Sequence, residues 1–460
     1  MITNLISWEF ILNLNISGKS WINITVFALI LSLVSGLFSQ DVFLKITTKG
    51  EDQINTAVLE FSTEGEVGTF TKHFTRILKM DLKYSLFINI IDSCSCSFQS
   101  IEKEDGIDYP CWANEKVQVL VWGRVKAKAK EEVEVELFVN SVAFRHRILK
   151  KSYQAKYRDI RRLAHTAAED IIKQLTGENG VTTTKILFVS NRTGNKEIYI
   201  TDYDGANTRQ LTDFGSISLF PDISPDRSNI IFTSYYDGDI TEGNPVNGSK
   251  LYRLELSDHS YEILTAFKGQ NGPASFSPDG KKIALTLSKD GNSEIYIMDI
   301  AKKSLRRITY NWGIDTSPCW SPSGQKLAFT SDISGYPQIY TIDVDGANMK
   351  RLTFIGNYND QPAWSPKGDK IAYCSMIDNR FNIVTIGLAG ALPTLLTSEG
   401  DNQSPTWSPD GYYITFSSNR TGGYKLYQMD YQGGNIRCIS HGGEDFDPVW
   451  TERYNWDFEK

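Results

Sequence analysis

The chain is poor in the residues that carry out chemistry. Only five histidines occur in 460 residues. His73 and His165 fall in helical patterns, His146 in a strand pattern, and His259 and His441 in separate loops. No Asp/Ser pattern surrounds any of them, so each is read as structural or solvent-facing rather than as a general base. There is no C-x-x-C pair and no Cys/His spacing of the kind that holds zinc. A G-x-S-x-G elbow is absent, which excludes an appended α/β-hydrolase. No glycine-rich loop leads from a strand into a helix, so a phosphate cradle is excluded too. The net charge is −7 and no basic tract occurs, so no nucleic-acid partner is expected. No cofactor or metal is expected either. A catalytic reading rests only on loop carboxylates such as Asp315, Asp360 and Asp447, and an Asp there also has the plainer task of tying turn backbone with its side chain.

What the chain has instead is repetition. Between Lys185 and Trp450 one unit is written several times, most clearly as "SPCWSPSGQKLAFTS" from Ser317, "QPAWSPKGDKIAYCS" from Gln361 and "SPTWSPDGYYITFSS" from Ser404. The Ser-Pro pair recurs at Pro225, Pro278, Pro322, Pro366 and Pro409, in steps of 53, 44, 44 and 43 residues. A period near 40–45 residues with about four strands per repeat is the signature of a propeller blade. Within a unit, an apolar strand ending in Trp or Phe enters a Ser-Pro-Asp-Gly turn, where Pro presets φ and Gly tolerates the fourth position. Three further strands follow, the last two joined by Asp-Gly or Gly-Gly.

The second-strand pattern appears six times, first as "KILFVSNRTGNKEIYITDYDGANTRQLT" from Lys185. That copy lacks its own leading strand. An orphan leading strand, "DFDPVW" from Asp445, stands at the end, with Pro448 in register 43 residues after Pro405. The expectation is an all-β, six-bladed β-propeller over residues 181–460, closed by the C-terminal strand so that no sheet edge stays free.

Ahead of it lies a different pattern. Residues 1–39 read as targeting sequence. Lys19 precedes an apolar run from Trp21 to Phe38, with cleavage expected near Gly36 or Ser39 and the residues before Lys19 explained by a start codon placed too early. The rival is an uncleaved anchor, since the run approaches the ~20 residues that span a bilayer. Residues 40–180 read as an α/β domain. Phe70, Phe74, Ile77, Leu78 and Leu82 share a helical face, and Ile160, Leu163, Ala164, Ala167, Ala168, Ile171, Ile172 and Leu175 share another, closed by Gly177. "EVEVELFV" alternates strictly and reads as a half-exposed strand. Free thiols are expected for Cys319, Cys374 and Cys438, which fall in different blades. For Cys94, Cys96 and Cys111 free thiols compete with a bridge from either Cys94 or Cys96 to Cys111.

The stretches "VLVWGRV", "RRLAHTAAEDIIKQLTGENG", then directly "TKILFVSNRTGNKEIYITDYDGANTRQLT" and the "WSPDG" repeats resemble the TolB family of the Tol-Pal system. The resemblance runs over nearly the whole mature chain, and the helix-to-blade junction is its specific part. It implies a periplasmic adaptor, monomeric and tied to membranes only through its partners, that serves envelope integrity and cell division. The propeller would bind the peptidoglycan-associated lipoprotein Pal. The mature N-terminal segment, here Asp41, Val42, Phe43, Leu44 and Lys45 within "QDVFLKITTKG", would bind TolA, although it is less acidic than the family pattern. Pal and that segment would stabilise different arrangements of the two domains.

In a propeller, the loops from one blade's outer strand to the next blade's inner strand crowd one channel mouth. Here they are polar, and Gln270, Asn271, Asp315, Thr316, Asn359, Asp360, Asn402, Gln403, Asp445 and Asp447 form the expected docking rim. Gln270, Asn271 and Thr316 align with Pal-contacting positions of the family, Gln270 replacing a His found in some members. The plainer reading is that these residues cap turns. The alternative function is a propeller hydrolase or lyase, or a regulatory propeller that binds a small ligand in its channel.

Overall fold

The structure, a computed structural model, describes residues 53–128, 131–237, 248–389 and 392–455. The expected signal peptide, the segment from Asp41 to Lys45 and most of the long loop "YYDGDITEGNPVNG" lie outside the described residues.

The first part is a mixed sheet. Strand Ile54–Val58 lies between the parallel strands Ile88–Ile90 and Val119–Ala127. The sheet then continues antiparallel through Glu132–Ser141 and His146–Lys156. Helices Gly68–Tyr84 and Ile160–Thr176 cover one face, burying Phe74, Leu78, Leu82, Leu163, Ala167 and Ile171 against Val121, Val135 and Leu137. The second helix ends at Gly177 with φ 75°, a left-handed cap that a side chain would strain.

The strand expected to be half exposed is buried on both faces, which corrects the alternation reading. Beneath its second face lies a small core of Trp112, Leu120, Trp122 and Phe138, roofed by the segment around Cys96 and Cys111. Those two cysteines are bridged, and Cys94 is a free thiol. The Trp122 indole donates to Asn140 Oδ1 at 2.9 Å, and Asn140 Nδ2 donates to Glu104 and to the Tyr109 hydroxyl. A polar residue at an alternating position thus faces a buried network rather than water.

The second part is a ring of six four-stranded sheets. We number the blades along the chain. Blade one is closed by the C-terminus, and blades two to six begin at Ser218, Asn271, Asp315, Asn359 and Asn402. The closing pairing is antiparallel, Asp445 opposite Ser190 and Trp450 opposite Ile186. Each Ser-Pro turn is held by its own serine. The Ser277 hydroxyl donates to Asp279 at 2.6 Å and accepts the Lys282 amide at 2.9 Å, and Ser224 repeats this with Asp226 and Asn229. Apolar clusters fill the gaps between neighbouring sheets, as where Leu187 and Ile198 of blade one meet Ile230 and Phe232 of blade two.

The first part packs on blades six and one. Tyr84 stacks on Tyr413 at 4.9 Å between centroids, and the Tyr413 hydroxyl donates to the Tyr84 carbonyl at 2.9 Å. Deeper in the contact, buried Asp81 accepts from the Tyr203 hydroxyl at 2.6 Å and bonds His165 Nδ1 at 2.7 Å. Arg161 reaches Asp204 at 2.7 Å. His165, read from sequence as lacking an Asp partner, has one here, supplied from 84 residues away. Tyr203 lies between strands three and four of blade one, and Tyr412 and Tyr413 lie at the start of strand two of blade six. Both positions belong to the end of the ring opposite the loops that join one blade to the next.

Ring closure yields a stability prediction. A chain ended at Glu444 loses the partner of strand Lys185–Ser190 and should be destabilised by roughly 5 kcal/mol or more. A chain ended at Asn455 should melt like the full chain. Thermal denaturation followed by circular dichroism compares the two.

Candidate docking face

Every innermost strand is built to one pattern. Its fourth residue is a proline in five blades, namely Pro221, Pro318, Pro362, Pro405 and Pro448, and in blade three its third, Pro273. Proline has no N–H to give the ladder, so it is tolerated only at an edge or a bulge. The chain uses both. The six strands are the inner edges of their sheets, and each shows a register shift that takes in its proline and the residue before it. The residue before the proline has positive φ: Phe220 at 51°, Gly272 at 97°, Ser317 at 55°, Gln361 at 56°, Ser404 at 52° and Asp447 at 47°. Only one of the six is glycine, so the ring carries backbone strain at five positions.

These bulges and prolines line a central cavity of about 210 Å³. Its charged lining residues are Asp222 and Asp447. Asp222 accepts the Phe276 amide at 2.7 Å, yet burial pushes its carboxyl up to about 7. Burial also raises Asp447, against a 2.7 Å hydrogen bond from the Ser404 hydroxyl.

The ten residues expected on the rim divide by register. Asn271, Asp315, Asn359, Asn402 and Asp445 each open an inner strand and are fully buried. Their side chains fasten the incoming loop. Asn271 accepts the Phe267 amide at 3.0 Å and donates to the Ser249 and Phe267 carbonyls. Asn359 donates to the Ile355 carbonyl, and Asn402 to the Glu399 and Gly400 carbonyls. Asp315 accepts from Asn311, and Asp445 is paired with Arg192 at 2.9 Å. Burial lifts the Asp315 carboxyl to about 6. These five cannot touch a partner as they stand, and for them the turn-capping reading describes the geometry.

Gln270, Thr316, Asp360, Gln403 and Asp447 are half-buried and border the mouth and wall of the channel. Gln270 accepts from the Ser293 hydroxyl at 2.9 Å, and Asp360 from the Thr330 hydroxyl at 2.7 Å. Outside them, the same face carries exposed apolar side chains around blade four, among them Tyr310, Trp312 and Phe354. Sequence reasoning passed over these because they lie a few residues before the polar loop stretches that precede each strand. The available signal was the spacing Arg-Ile-Thr-Tyr and Arg-Leu-Thr-Phe, Arg307 to Tyr310 and Arg351 to Phe354, which sets an aromatic just past each outer strand.

The model of the TolB beta propeller domain matches residues 172–454, and that of the TolB amino-terminal domain matches residues 42–147. The chain belongs to the TolB family. The Tol-Pal system protein TolB of Geobacter sulfurreducens is 35% identical over 211 residues, 44% of this chain and 49% of that one. Its namesake in Desulfosudis oleivorans is 34% identical over 283 residues, 59% of this chain and 61% of the relative. The matched stretches thus span about half to three-fifths of these relatives. The crystal structure of TolB from Acinetobacter baumannii superposes with a TM-score of 0.76 at 26% identity, covering 89% of this chain and 99% of that one.

Two predictions test this face. Asn271→Lys should cost about 3 kcal/mol, because it removes the loop's anchor and buries a charge. Thr316→Lys, at a half-buried position from which a lysine stem can reach water, should change stability by no more than about 0.5 kcal/mol. The second concerns pH. With the folded Asp222 carboxyl near 7 and the unfolded one at about 3.9, the folded chain binds the extra proton between those values. Stability from this site therefore falls as pH rises through that window. Asp222→Asn should gain about 1 kcal/mol over wild type at pH 8, discounted for channel water, and nothing at pH 4. Urea titrations at both pH values measure it.

Proposed function

We propose that this protein is a periplasmic component of the Tol-Pal system that works by docking other proteins rather than by catalysis. The observation that carries the reading is the joint match of both parts to TolB models in their TolB order. The relatives are named for that system. Among the described residues no helix is long and apolar enough to cross a membrane.

In this reading the peptidoglycan-associated lipoprotein Pal docks on the channel mouth, and TolA takes the N-terminal segment from Asp41 to Lys45. Two features of the structure support the first half. The amino-terminal domain occupies the opposite end of the ring, so this mouth is not covered by it. The backbone around the mouth is strained and over-determined by buried Asn and Asp anchors, which presents a surface already ordered before binding. Protein association then spends little on ordering loops. By linking an outer-membrane lipoprotein to an inner-membrane partner, the protein would support outer-membrane integrity during division.

The test is a pull-down with the Pal homologue of the same cell. Thr316→Lys combined with Gln403→Lys should weaken capture at least tenfold while the melting curve stays in place. Undiminished capture by this folded variant would remove the rim from the interface.

A further inference from the structure

The docking face is lopsided. Around blade four, three loops present Tyr310, Trp312, Ile314, Tyr336, Phe354 and Ile355, and Tyr310, Trp312 and Phe354 are 73%, 70% and 73% exposed. Hydrogen bonds join the loops into one surface. The Ile314 amide donates to Asp332 at 2.6 Å, the Asn359 amide to the Pro337 carbonyl at 2.9 Å, and Gln338 Nε2 to the Gly356 carbonyl at 3.1 Å. On blades six and one the corresponding loops expose Glu399, His441 and Glu444 instead. Single exposed apolar residues need no explanation, but six on adjoining loops of one rim mark an interaction site.

The cations beside this patch differ in a telling way. Arg307 stacks over Tyr310 at 4.7 Å and is paired with Glu294 at 2.6 Å. Arg351 stacks over Phe354 at 4.9 Å in the same arrangement. In its blade, however, Gln338 stands where Glu294 stands, each opening strand three and bonded near the threonine that follows the arginine. Among the described residues no carboxylate pairs with Arg351. A half-buried guanidinium held against an exposed ring, with its expected counter-charge replaced by a neutral amide, is arranged to receive a carboxylate from outside.

We propose that this sector is the anchoring half of the docking face, and that it takes a folded protein whose contact patch is apolar at its centre and carries an acidic side chain that pairs with Arg351. Aromatic and arginine side chains at the middle of a patch are the usual carriers of binding energy between proteins. The polar mouth residues then set orientation while blade four supplies affinity. The inference rests on the reading of this face as the lipoprotein-docking surface.

The experiment measures affinity of the full chain for the Pal homologue by calorimetry. The variants are Trp312→Ala with Phe354→Ala, Arg351→Glu, and the mouth variant Thr316→Lys, each checked by thermal melting. The aromatic pair should weaken binding at least thirtyfold. Arg351→Glu should weaken it at least tenfold and lower the association rate, with the loss shrinking at high salt. If the blade-four variants bind like wild type while Thr316→Lys binds poorly, this inference falls and the docking face stands. If wild type does not bind at all, both fall. Loss of binding to purified peptidoglycan or to anionic vesicles in the blade-four variants, with lipoprotein affinity unchanged, would assign the patch to a glycan or a membrane and overturn the proposal.

Discussion

The pairing of the last strand with Lys185–Ser190 governs the rest of the molecule. A four-stranded sheet of six-residue strands cannot bury both faces alone. In this ring each sheet is covered by its neighbours, so every blade depends on the circle being complete. The join is made by the two ends of the propeller sequence, Asp445 to Trp450 against Ser190 to Ile186. It is fastened at the start by Arg192 on Asp445 and at the end by the Thr451 hydroxyl, which accepts the Lys185 amide at 2.9 Å. Closing the circle across 260 residues of chain is entropically dear, and the pairing offsets it by removing two free edges and their unpaired backbone groups.

The same inner strands explain what could and could not be read from sequence. The six copies of the second-strand pattern gave the number of blades, and the spacing from Pro405 to Pro448 gave the closing strand, because a period of one blade is a property of sequence alone. Which side of a strand each polar residue faces is not. Asn271, Asp315 and Asn402 sit in loops that look like a rim, yet they are the first strand residues and point into the wall. The bulge at each proline instead sets residues such as Ser317 and Ser404 on the channel wall. Register near a bulge is set by backbone geometry, and alternation cannot count through it. The strand Glu132–Ser141 misleads for a related reason. Alternation there is real, but its polar-looking face is roofed by a loop tied down through Cys96 and Cys111, a contact distant in sequence.

The contact between the two parts was equally hidden. Asp81 sits on the apolar face of its helix beside Leu78 and Leu82, where a carboxylate would ordinarily be an error of pattern. Its partners, His165 and Tyr203, lie 84 and 122 residues away. A buried carboxylate that accepts two short hydrogen bonds from two different elements specifies one relative placement, since removing either donor leaves a desolvated oxygen. Buried polar groups at an interface of this kind fix geometry more than they add stability.

These constraints together bear on how docking at one end could reach the other. The amino-terminal part grips blades six and one at one end of the ring, while the apolar sector stands on blade four at the other end and across the circle. Among the described residues the propeller alone bridges them, its sheets packed against one another all the way round. A packed core transmits strain only if it has two arrangements to choose between. The inner strands, which run from the mouth toward the far end, hold left-handed residues already away from relaxed backbone. Asp447 belongs to one of them and, two residues beyond Asp445, lies on the strand that closes blade one. A partner that pressed on the mouth would therefore load the closing strand itself, and through Trp450 the cluster where Tyr84 and Phe87 rest on the propeller. That strand is the one element shared by the mouth, the ring closure and the domain contact, and any coupling between the two ends has to bias it.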